Sequence, residues 1–403
     1  MNPLHNAEQA VLGSVLLDPE QLAHLTWLAP GHFDRPVHQA LFAALRKLPD
    51  DGHHATTAET PVPLSWVTDA VDAAGLHVRG LTAVYAHTLV SACPHAAHAP
   101  VYGRMVLEGA IHRSITGHAI RLHQAARADA LRGGVEGALH CADVLSGVLS
   151  DLAQRWGSEP RPVEPPPATA PVTAALAPLP VEAGQAVEDE RFLLAVLTER
   201  QKAMDEVVDW LRPGDFSDPA LGQLYRCLAA LHHRGEPIDR ITLLWEAQRR
   251  GLLSAGTLSG DQLTAICDGV GSGSAEWLGE QVLRSSVTRT AAASANAIRD
   301  LAENDALAPG HLISHALHAL GPLTEVRTRW RAAQGHNAPQ QPSSVPPPEA
   351  VPTGRVRAAL ARSASQHIPP EGDTPSRPSP HRLRAPGSQL TPQFPAAAPP
   401  SRT

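Results

Sequence analysis

A seven-residue stretch occurs twice in this chain and constrains its organisation more than any other feature. Trp27–Phe33 reads WLAPGHF and Trp210–Phe216 reads WLRPGDF, so five of the seven positions are identical. The whole chain holds only 7 Trp and 5 Phe, which makes chance a poor explanation. A repeat of this kind indicates a duplicated structural unit. We therefore expect two copies of one module rather than one large domain.

The amino-acid composition favours helices in both modules. Hydrophobic residues make up 43% of the 403 residues, but aromatic residues make up only 4%. The cores must therefore be built mainly from Ala, Leu and Val. Ala and Leu are strong helix formers, whereas strands are enriched in β-branched and aromatic residues. We predict an all-α protein with two or three domains.

Charge, cysteine content and hydropathy exclude several classes of protein. The formal net charge of −7 argues against a nucleic-acid binder that relies on a general basic excess. The four cysteines have no short spacing, so they indicate neither a zinc knuckle nor a disulfide framework. We expect no signal peptide, and no run of about 18 apolar residues predicts a membrane span. The expected location is the cytoplasm, without membrane contact.

Helical periodicity gives each module the same order of elements, a small head followed by a long helical hairpin. In the first module, a capping box formed by Asn6 and Gln9 is predicted to open the first helix. The long helix is predicted over 97–127, and it returns over 135–156 after a Gly-Gly turn. Two long helices joined by a short turn form an αα-hairpin.

The second module repeats this order with more differences in sequence. Its long helix is predicted over 274–304, and a last helix is predicted from Gly310 to about Arg331, after Pro309. The predicted domains are the first module at residues 1–157, a Pro/Ala-rich linker at 158–186, the second, divergent module at 187–334 and a disordered, mildly basic Pro-rich tail at 335–403.

Several motifs of the two modules occur together in one known family. In the first copy they are Ala7–Asp18 (AEQAVLGSVLLD), the turn ending at Phe33, His38 with Leu41-Phe42, Ala92–Ala97 (ACPHAA) and Tyr102-x-Arg104-x-Val106-x-Glu108-x-Ala110-x-x-Arg113. In the second copy they are Gly235–Asp239 (GEPID), Thr242-Leu243 and Arg250–Leu253 (RGLL). Together they resemble the N-terminal domain of the DnaB-type replicative DNA helicase, over roughly residues 3–156 and 188–331. The second copy departs from the family at Gly269–Ser274, where the family has a Pro-containing turn.

The resemblance implies a role in assembly rather than in catalysis. In the family, this domain is a helical head with a hairpin that pairs between subunits, holds the helicase ring together and docks primase. The helicase motor is a separate RecA-like domain, which needs a Gly-x-x-x-x-Gly-Lys-[Ser/Thr] loop for ATP. Neither Lys47 nor Lys202 follows a Gly, so we expect no ATPase, no unwinding by this chain alone and no cofactor.

The repeated aromatic residues admit two interpretations. Trp27, Phe33, Trp210 and Phe216 can form a recognition groove, or they can pin the short helix of each head to its core. Because aromatic side chains carry a large buried area, we prefer the second interpretation and treat them as structural markers.

Three arginines of the long helices are candidate partner-binding positions. Arg104, Arg113 and Arg289 lie in the hairpin segments, and Arg113 and Arg289 occupy matched positions in the two copies. In the family, hairpin surfaces contact partners. The alternative is that each side chain runs along its own hairpin and keeps its charged head in water.

No pattern predicts a catalytic or a metal site. Cys93, His95 and His98 are close in sequence, but they span a helix break, and we do not expect them to bind zinc. The tail holds seven Arg against three acidic residues. These arginines can contact DNA in a salt-dependent way, but a solubilising or tethering tail is the preferred interpretation.

The main hypothesis from the sequence is a non-catalytic interaction protein of DNA replication. Its candidate partners are the replicative helicase, primase or a helicase loader, and its two hairpins can pair within one chain as a pseudo-dimer. The alternative is a nucleic-acid-binding accessory that uses the tail and an Arg-bearing hairpin face. A third interpretation is a degenerate helicase fragment without a role of its own.

Overall fold

Helices make up the regular structure of the chain. The computed structural model describes residues 2–52, 64–156, 183–256, 258–269 and 273–337. These ranges contain thirteen α-helices and no β-strand, which confirms the all-α prediction. None of the described helices is both long and apolar enough to cross a membrane. The helices are α1 (Pro3–Leu17), α2 (Pro36–Asp50), α3 (Leu64–Gly75), α4 (Ala83–Ala92), α5 (Ala99–Arg132), α6 (Glu136–Trp156), α7 (Ala183–Glu199), α8 (Pro219–His233), α9 (Arg240–Arg249), α10 (Gly260–Cys267), α11 (Ala275–Ala302), α12 (Pro309–Ala319) and α13 (Gly321–Asn337).

Local sequence signals explain most helix ends, with one correction. The predicted capping box at Asn6 is wrong, because α1 already begins at Pro3. There the Asn2 side chain accepts a hydrogen bond from the Leu4 N–H, and proline suits a first helical turn. Asp239 caps α9 as expected, since its carboxylate accepts the N–H groups of Ile241 and Thr242.

The first head has a core of its own beneath the aromatic turn. Helices α1–α4 surround it, and the Trp66 indole at its centre donates to the carbonyl oxygen of Val15 at 3.1 Å. The bond satisfies the polar end of a fully buried Trp. The largest buried side chains in this core are Leu12, Leu16, Leu25, Leu28, Phe33, Leu41, Phe42, Leu45, Trp66 and Leu89.

The first hairpin turns sharply between α5 and α6. Gly133 ends α5 with a φ of 68°, a left-handed conformation that glycine adopts without strain. The Gly134 N–H closes the turn by donating to the Asp129 carbonyl oxygen at 2.9 Å. The Asp129 carboxylate then accepts the Ala138 N–H at 2.7 Å, in the first turn of α6. The predicted Gly-Gly turn is thus confirmed.

The two hairpins pack against each other within one chain. Helices α5 and α11 make the most extensive contact between any two helices of the described part. His112 of α5 lies against the end of α11 at Ala302, whereas Gly133, beyond the end of α5, lies near Arg284 in the first half of α11. The two helices therefore run antiparallel. Such a pairing of two similar modules resembles the two-fold interface of a homodimer.

Helix α11 lies at the centre of this arrangement. Every residue from Ser286 to Ala295 is buried, so this stretch is covered on all sides. The run Ala291-Ala292-Ala293-Ser294-Ala295 has only small side chains, which allow neighbouring helices to approach closely. Apolar residues of α5 and α6 join those of the second module in one continuous core. A helix that is buried all round is typical of the interior of a protein.

The second hairpin differs from its predicted form. Its returning part is not one helix from Gly310 to Arg331 but two, α12 and α13, with Leu320 between them. The helix α7 begins at Ala183, within the predicted linker, and α13 runs to Asn337, beyond the predicted start of the tail. The remaining predictions for the linker (157–182), the polar loop (53–63), part of the glycine-rich segment (270–272) and the tail (338–403) lie outside the described residues.

A glycine of each long helix lies beneath the Trp of the aromatic turn. A Cβ atom on Gly279 would lie 2.6 Å from the Trp210 ring. A Cβ atom on Gly103 would lie 2.8 Å from a methyl group of Leu25 and 3.2 Å from the Trp27 ring. Both distances to a Trp ring are short, but the surroundings differ. Trp210 is only 2% exposed and cannot move aside, whereas Trp27 is 44% exposed.

We expect Gly279→Ala to destabilise the protein by about 1–3 kcal/mol, because the added methyl group overpacks a closed contact. Gly103→Ala should cost less, because its nearest neighbours are the Trp27 ring, which can shift into solvent, and the flexible end of the Leu25 side chain. Alanine also favours a helix by up to about 1 kcal/mol. Gly147→Ala in α6 is the control, since a Cβ there meets nothing within 4 Å. Urea denaturation measures all three. An equal loss in all three variants would contradict the role of the glycine contact.

Candidate protein-interaction surfaces

A buried glutamate of the first helix holds the aromatic turn in each module. In the first module, Glu8 accepts the Asp34 N–H at 2.5 Å, and its other oxygen lies 2.6 Å from His38 Nδ1. In the second, Glu190 accepts the Ser217 N–H at 2.5 Å and the Ser217 hydroxyl at 2.6 Å. The bonds reach the residue that follows Phe33 or Phe216. The same contact therefore fixes the exit of the turn in both copies.

The different partners give the two carboxyl groups opposite pKa shifts. Burial alone raises the pKa of a carboxyl group, because it disfavours the charged form. For Glu8, burial is outweighed by the hydrogen bonds from His38 and from the Asp34 N–H, and the net pKa lies below its ordinary value. For Glu190, burial prevails over the bonds from Ser217 and Asp218, and the pKa is raised. The two turns therefore share a backbone contact but not an electrostatic environment.

An arginine of each long helix holds the same turn through a second backbone contact. Arg113 donates to the carbonyl oxygen of His32 at 2.6 Å, and Arg289 donates to that of Asp215 at 2.5 Å. His32 and Asp215 are matched positions, immediately before the Phe of each repeat. The two arginines thus join head to hairpin in the same way. We call this contact the arginine latch.

The arginine latch bears on the sequence predictions for these side chains. Arg289 is only 7% exposed and also donates to the Ser285 hydroxyl at 2.7 Å. The sequence allows the alternative that the guanidinium group of Arg289 stays in water. This alternative is wrong, because the group is buried and donates to the Asp215 carbonyl oxygen and the Ser285 hydroxyl. Arg113 is partly exposed, and Arg104 is exposed on α5. Partner binding by these three residues stays a prediction, and Arg104 is the best placed of them.

The aromatic markers are not all buried. Phe33, Trp210 and Phe216 are buried as expected, but the prediction is wrong for Trp27, whose side chain is about half exposed. In the second module, Arg329 of α13 donates to the Trp210 carbonyl oxygen at 3.4 Å and pairs with Asp215. The helix α13 therefore covers this turn from a side that stays open at Trp27.

Polar contacts join the two hairpins around their apolar interface. The two ring nitrogens of His112 lie 2.9 Å from the Ala302 carbonyl oxygen and 3.1 Å from that of Leu307. The first carbonyl belongs to the last residue of α11, and the second belongs to the turn between α11 and α12. Arg327 of α13 forms a two-bond ion pair with Asp143 of α6. Both contacts cross between modules, and nothing in the sequence pattern singles them out.

Apolar side chains remain exposed on both modules. On α9 of the second head, Ile241 and Trp245 are one helical turn apart, and Trp245 is 61% exposed. Such neighbouring apolar residues are typical of protein-binding surfaces, where Trp is enriched. We call this pair the α9 patch. The other exposed large apolar side chains of the two long helices and of the turn are Trp27, Val101, Met105, Ile120, Leu131 and Trp277.

The arrangement defines a class of protein: two helical head-and-hairpin modules in tandem. The family model described as the DnaB-like helicase N terminal domain matches residues 2–108 and 182–275. These two segments belong to that family, as the repeat and its motifs predicted. Each match covers a head and the beginning of the long helix. Most of each hairpin lies beyond the matched residues.

Known relatives agree with this assignment over part of their length. Replicative DNA helicase DnaB from Mycobacterium leprae is 36% identical over 147 residues, which cover 36% of this chain and 22% of the relative. Replicative DNA helicase DnaB from Geobacillus stearothermophilus is 37% identical over 111 residues, or 27% of this chain and 23% of the relative. The chain thus spans less than a quarter of the length of either relative. The similarity supports a relation to replicative helicases. The family model that matches this chain describes only the N-terminal domain of those helicases.

The arginine latch can be tested by removing the guanidinium groups. We expect Arg289→Met to cost about 2–3 kcal/mol, because it leaves a buried carbonyl oxygen and hydroxyl without their charged donor. Arg113→Met should cost about 1 kcal/mol, since water can reach the partly exposed site. The control is Arg104→Met at an exposed position, with an expected change within about 0.5 kcal/mol. Urea denaturation measures each loss, and an equal loss for Arg104 and Arg289 would refute the latch.

The ion pair between Asp143 and Arg327 should make hairpin pairing depend on pH. The hydrogen bond from Arg327 holds the pKa of Asp143 below its ordinary value of 3.8. The ion pair therefore stabilises the folded protein fully at pH values above 3.8. This stabilisation is lost as the pH falls through the lower pKa that Asp143 has in the folded state.

We expect Asp143→Asn to cost at most about 1 kcal/mol at neutral pH, because Asp143 is half exposed and the pair is screened by water. The difference from the wild type in urea denaturation should disappear in acid and shrink in high salt. Asp151→Asn, at an exposed position of the same helix, is the control. A difference that persists unchanged in acid would contradict the assignment.

Proposed function

We propose that this chain is a non-catalytic interaction protein of DNA replication, built as a single-chain pseudo-dimer of helicase N-terminal modules. The observation that carries the proposal is the antiparallel contact between α5 and α11. In the helicase family that this chain resembles, such hairpins pair between subunits. Here each hairpin has its partner in the same chain, so the surface used for pairing is already occupied.

The occupied hairpins leave the heads and the outer hairpin faces as the surfaces for other proteins. The α9 patch is the strongest candidate on the second head, because Trp245 and Ile241 project together into solvent. Truncation of a central Trp in an interface commonly weakens the binding free energy by about 2 kcal/mol or more. The partners of this proposal are the replicative helicase, primase or a helicase loader of the same cell.

Co-purification tests the partners directly. The full chain, immobilised at low density, should retain the replicative helicase or primase of its own cell as a stoichiometric partner. We expect Trp245→Ala to weaken this capture by about tenfold or more, as for loss of an interface anchor. Leu131→Ala is the matched control, since Leu131 is also apolar and exposed but lies at the hairpin tip. Capture of neither protein by the folded chain would reject the docking role.

Cleavage between the modules tests the pseudo-dimer. A protease site placed within residues 158–182 should give two fragments that stay together at the mass of one chain, because α5 and α11 hold them. The double variant His112→Ala/Arg327→Ala removes contacts that cross between the hairpins, and its fragments should separate at a lower urea concentration. Fragments of the wild type that separate in buffer, or that elute at twice the mass of one chain, would contradict pairing within the chain.

A further inference from the structure

The first head brings together three side chains with metal-ligating atoms that the docking role does not use. His5 and Glu8 lie on α1 at a spacing of i and i+3, which places them on one face of the helix. His38 comes from α2. The candidate ligand atoms of the three residues lie within 4.8 Å of one another. The sequence did not suggest this group, because its members come from two helices.

Hydrogen bonds already orient two of the three side chains as metal sites require. Glu8 uses one oxygen to accept the Asp34 N–H, and its second oxygen is hydrogen-bonded to His38 Nδ1 at 2.6 Å, a bond that an ion held by both atoms would replace. His38 uses its other nitrogen, Nε2, for a contact of 2.7 Å with the Tyr85 hydroxyl. Outer partners of this kind fix the ring orientation of a ligating histidine and the position of a ligating carboxylate.

The third side chain supplies an independent observation. His5 is partly buried, and its Nδ1 atom has no access to solvent and no hydrogen-bond partner among the described residues. A buried imidazole nitrogen without a partner is unfavourable and calls for an explanation. The ring lies nearly parallel to that of His38, with 5.5 Å between their centroids. An ion that His5 binds through Nδ1 would satisfy this atom.

The second module lacks the set, although it keeps the glutamate. The positions that match His5 and His38 are Val187 and Leu221, and Glu190 accepts its bonds from Ser217 and the Asp218 N–H instead. The glutamate alone is therefore enough to hold the aromatic turn. The two histidines are an addition of the first head, and the role of the turn does not require them.

We propose that His5, Glu8 and His38 bind a divalent transition-metal ion, with Zn²⁺ as the best match. Two imidazoles and one carboxylate are a ligand set that zinc accepts, with a water molecule completing four-fold coordination. The ion would connect α1 to α2 close to Asp34, the residue that follows the aromatic turn. The consequence is a metal-dependent stability of the first head that the second head does not share.

The test uses the full, untagged chain, because its 22 histidines make weak surface binding of Zn²⁺ certain. The variant His5→Gln removes one ligand and leaves the bond between Glu8 and His38 intact. The matched control is His24→Gln, at an exposed position outside the cluster. After loading with Zn²⁺ and dialysis against metal-free buffer, the wild type and His24→Gln should retain about one more ion per chain than His5→Gln.

Thermal unfolding should separate His5→Gln from the wild type and His24→Gln in the same way as zinc retention does. Added Zn²⁺ should raise the Tm of the wild type and of His24→Gln, but not that of His5→Gln, because only a ligand that binds the folded state preferentially stabilises it. Equal zinc retention and equal Tm shifts in wild type and His5→Gln would overturn the site. The Co²⁺-loaded wild type gives a check that needs no variant. Its visible spectrum should show the intense bands of a low-coordinate site, and the weak spectrum of hydrated Co²⁺ would reject the proposal.

Discussion

The antiparallel contact between α5 and α11 is the interaction on which the rest of the structure depends. It joins two modules that are each a head and a hairpin. Together with α7, α12 and α13, α5 buries α11 over ten residues, Ser286 to Ala295. Small side chains in that stretch allow the close approach, and apolar residues of the first hairpin complete the core of the second module. The first head retains a separate core. The two modules are therefore held together mainly by their hairpins and not by their heads.

Within each module, the aromatic turn is held from two sides. A buried glutamate of the first helix accepts a backbone N–H after the turn, and an arginine of the long helix donates to a carbonyl oxygen before its Phe. This pair of contacts joins the head to its hairpin in the same way in both modules. The copies diverge around it, since His38 occupies a position in the first that Leu221 occupies in the second.

This division suits a protein whose binding surfaces lie outside its paired hairpins. Two modules similar to the helicase N-terminal domain occur in this chain, and the long helix of each packs against that of the other. The α9 patch and the group around His5 belong to single heads, so the duplication allows two similar modules to acquire different properties. Under the proposed function, the chain would present two unlike heads to its partners on one pair of hairpins.

The sequence by itself determined the all-α class, the two modules, their family and most helix ends, because these depend on local propensity, on turn residues such as Gly133 and on a repeat that needs no structure to be seen. It could not locate the partners of side chains distant in sequence. Burial of Arg289, exposure of Trp27, the contact of His112 with Ala302 and the meeting of His5 with His38 all depend on how helices pack. The direction in which the hairpins pair was likewise decided only by the tertiary structure, since an amphipathic pattern shows that a face is covered but not which helix covers it.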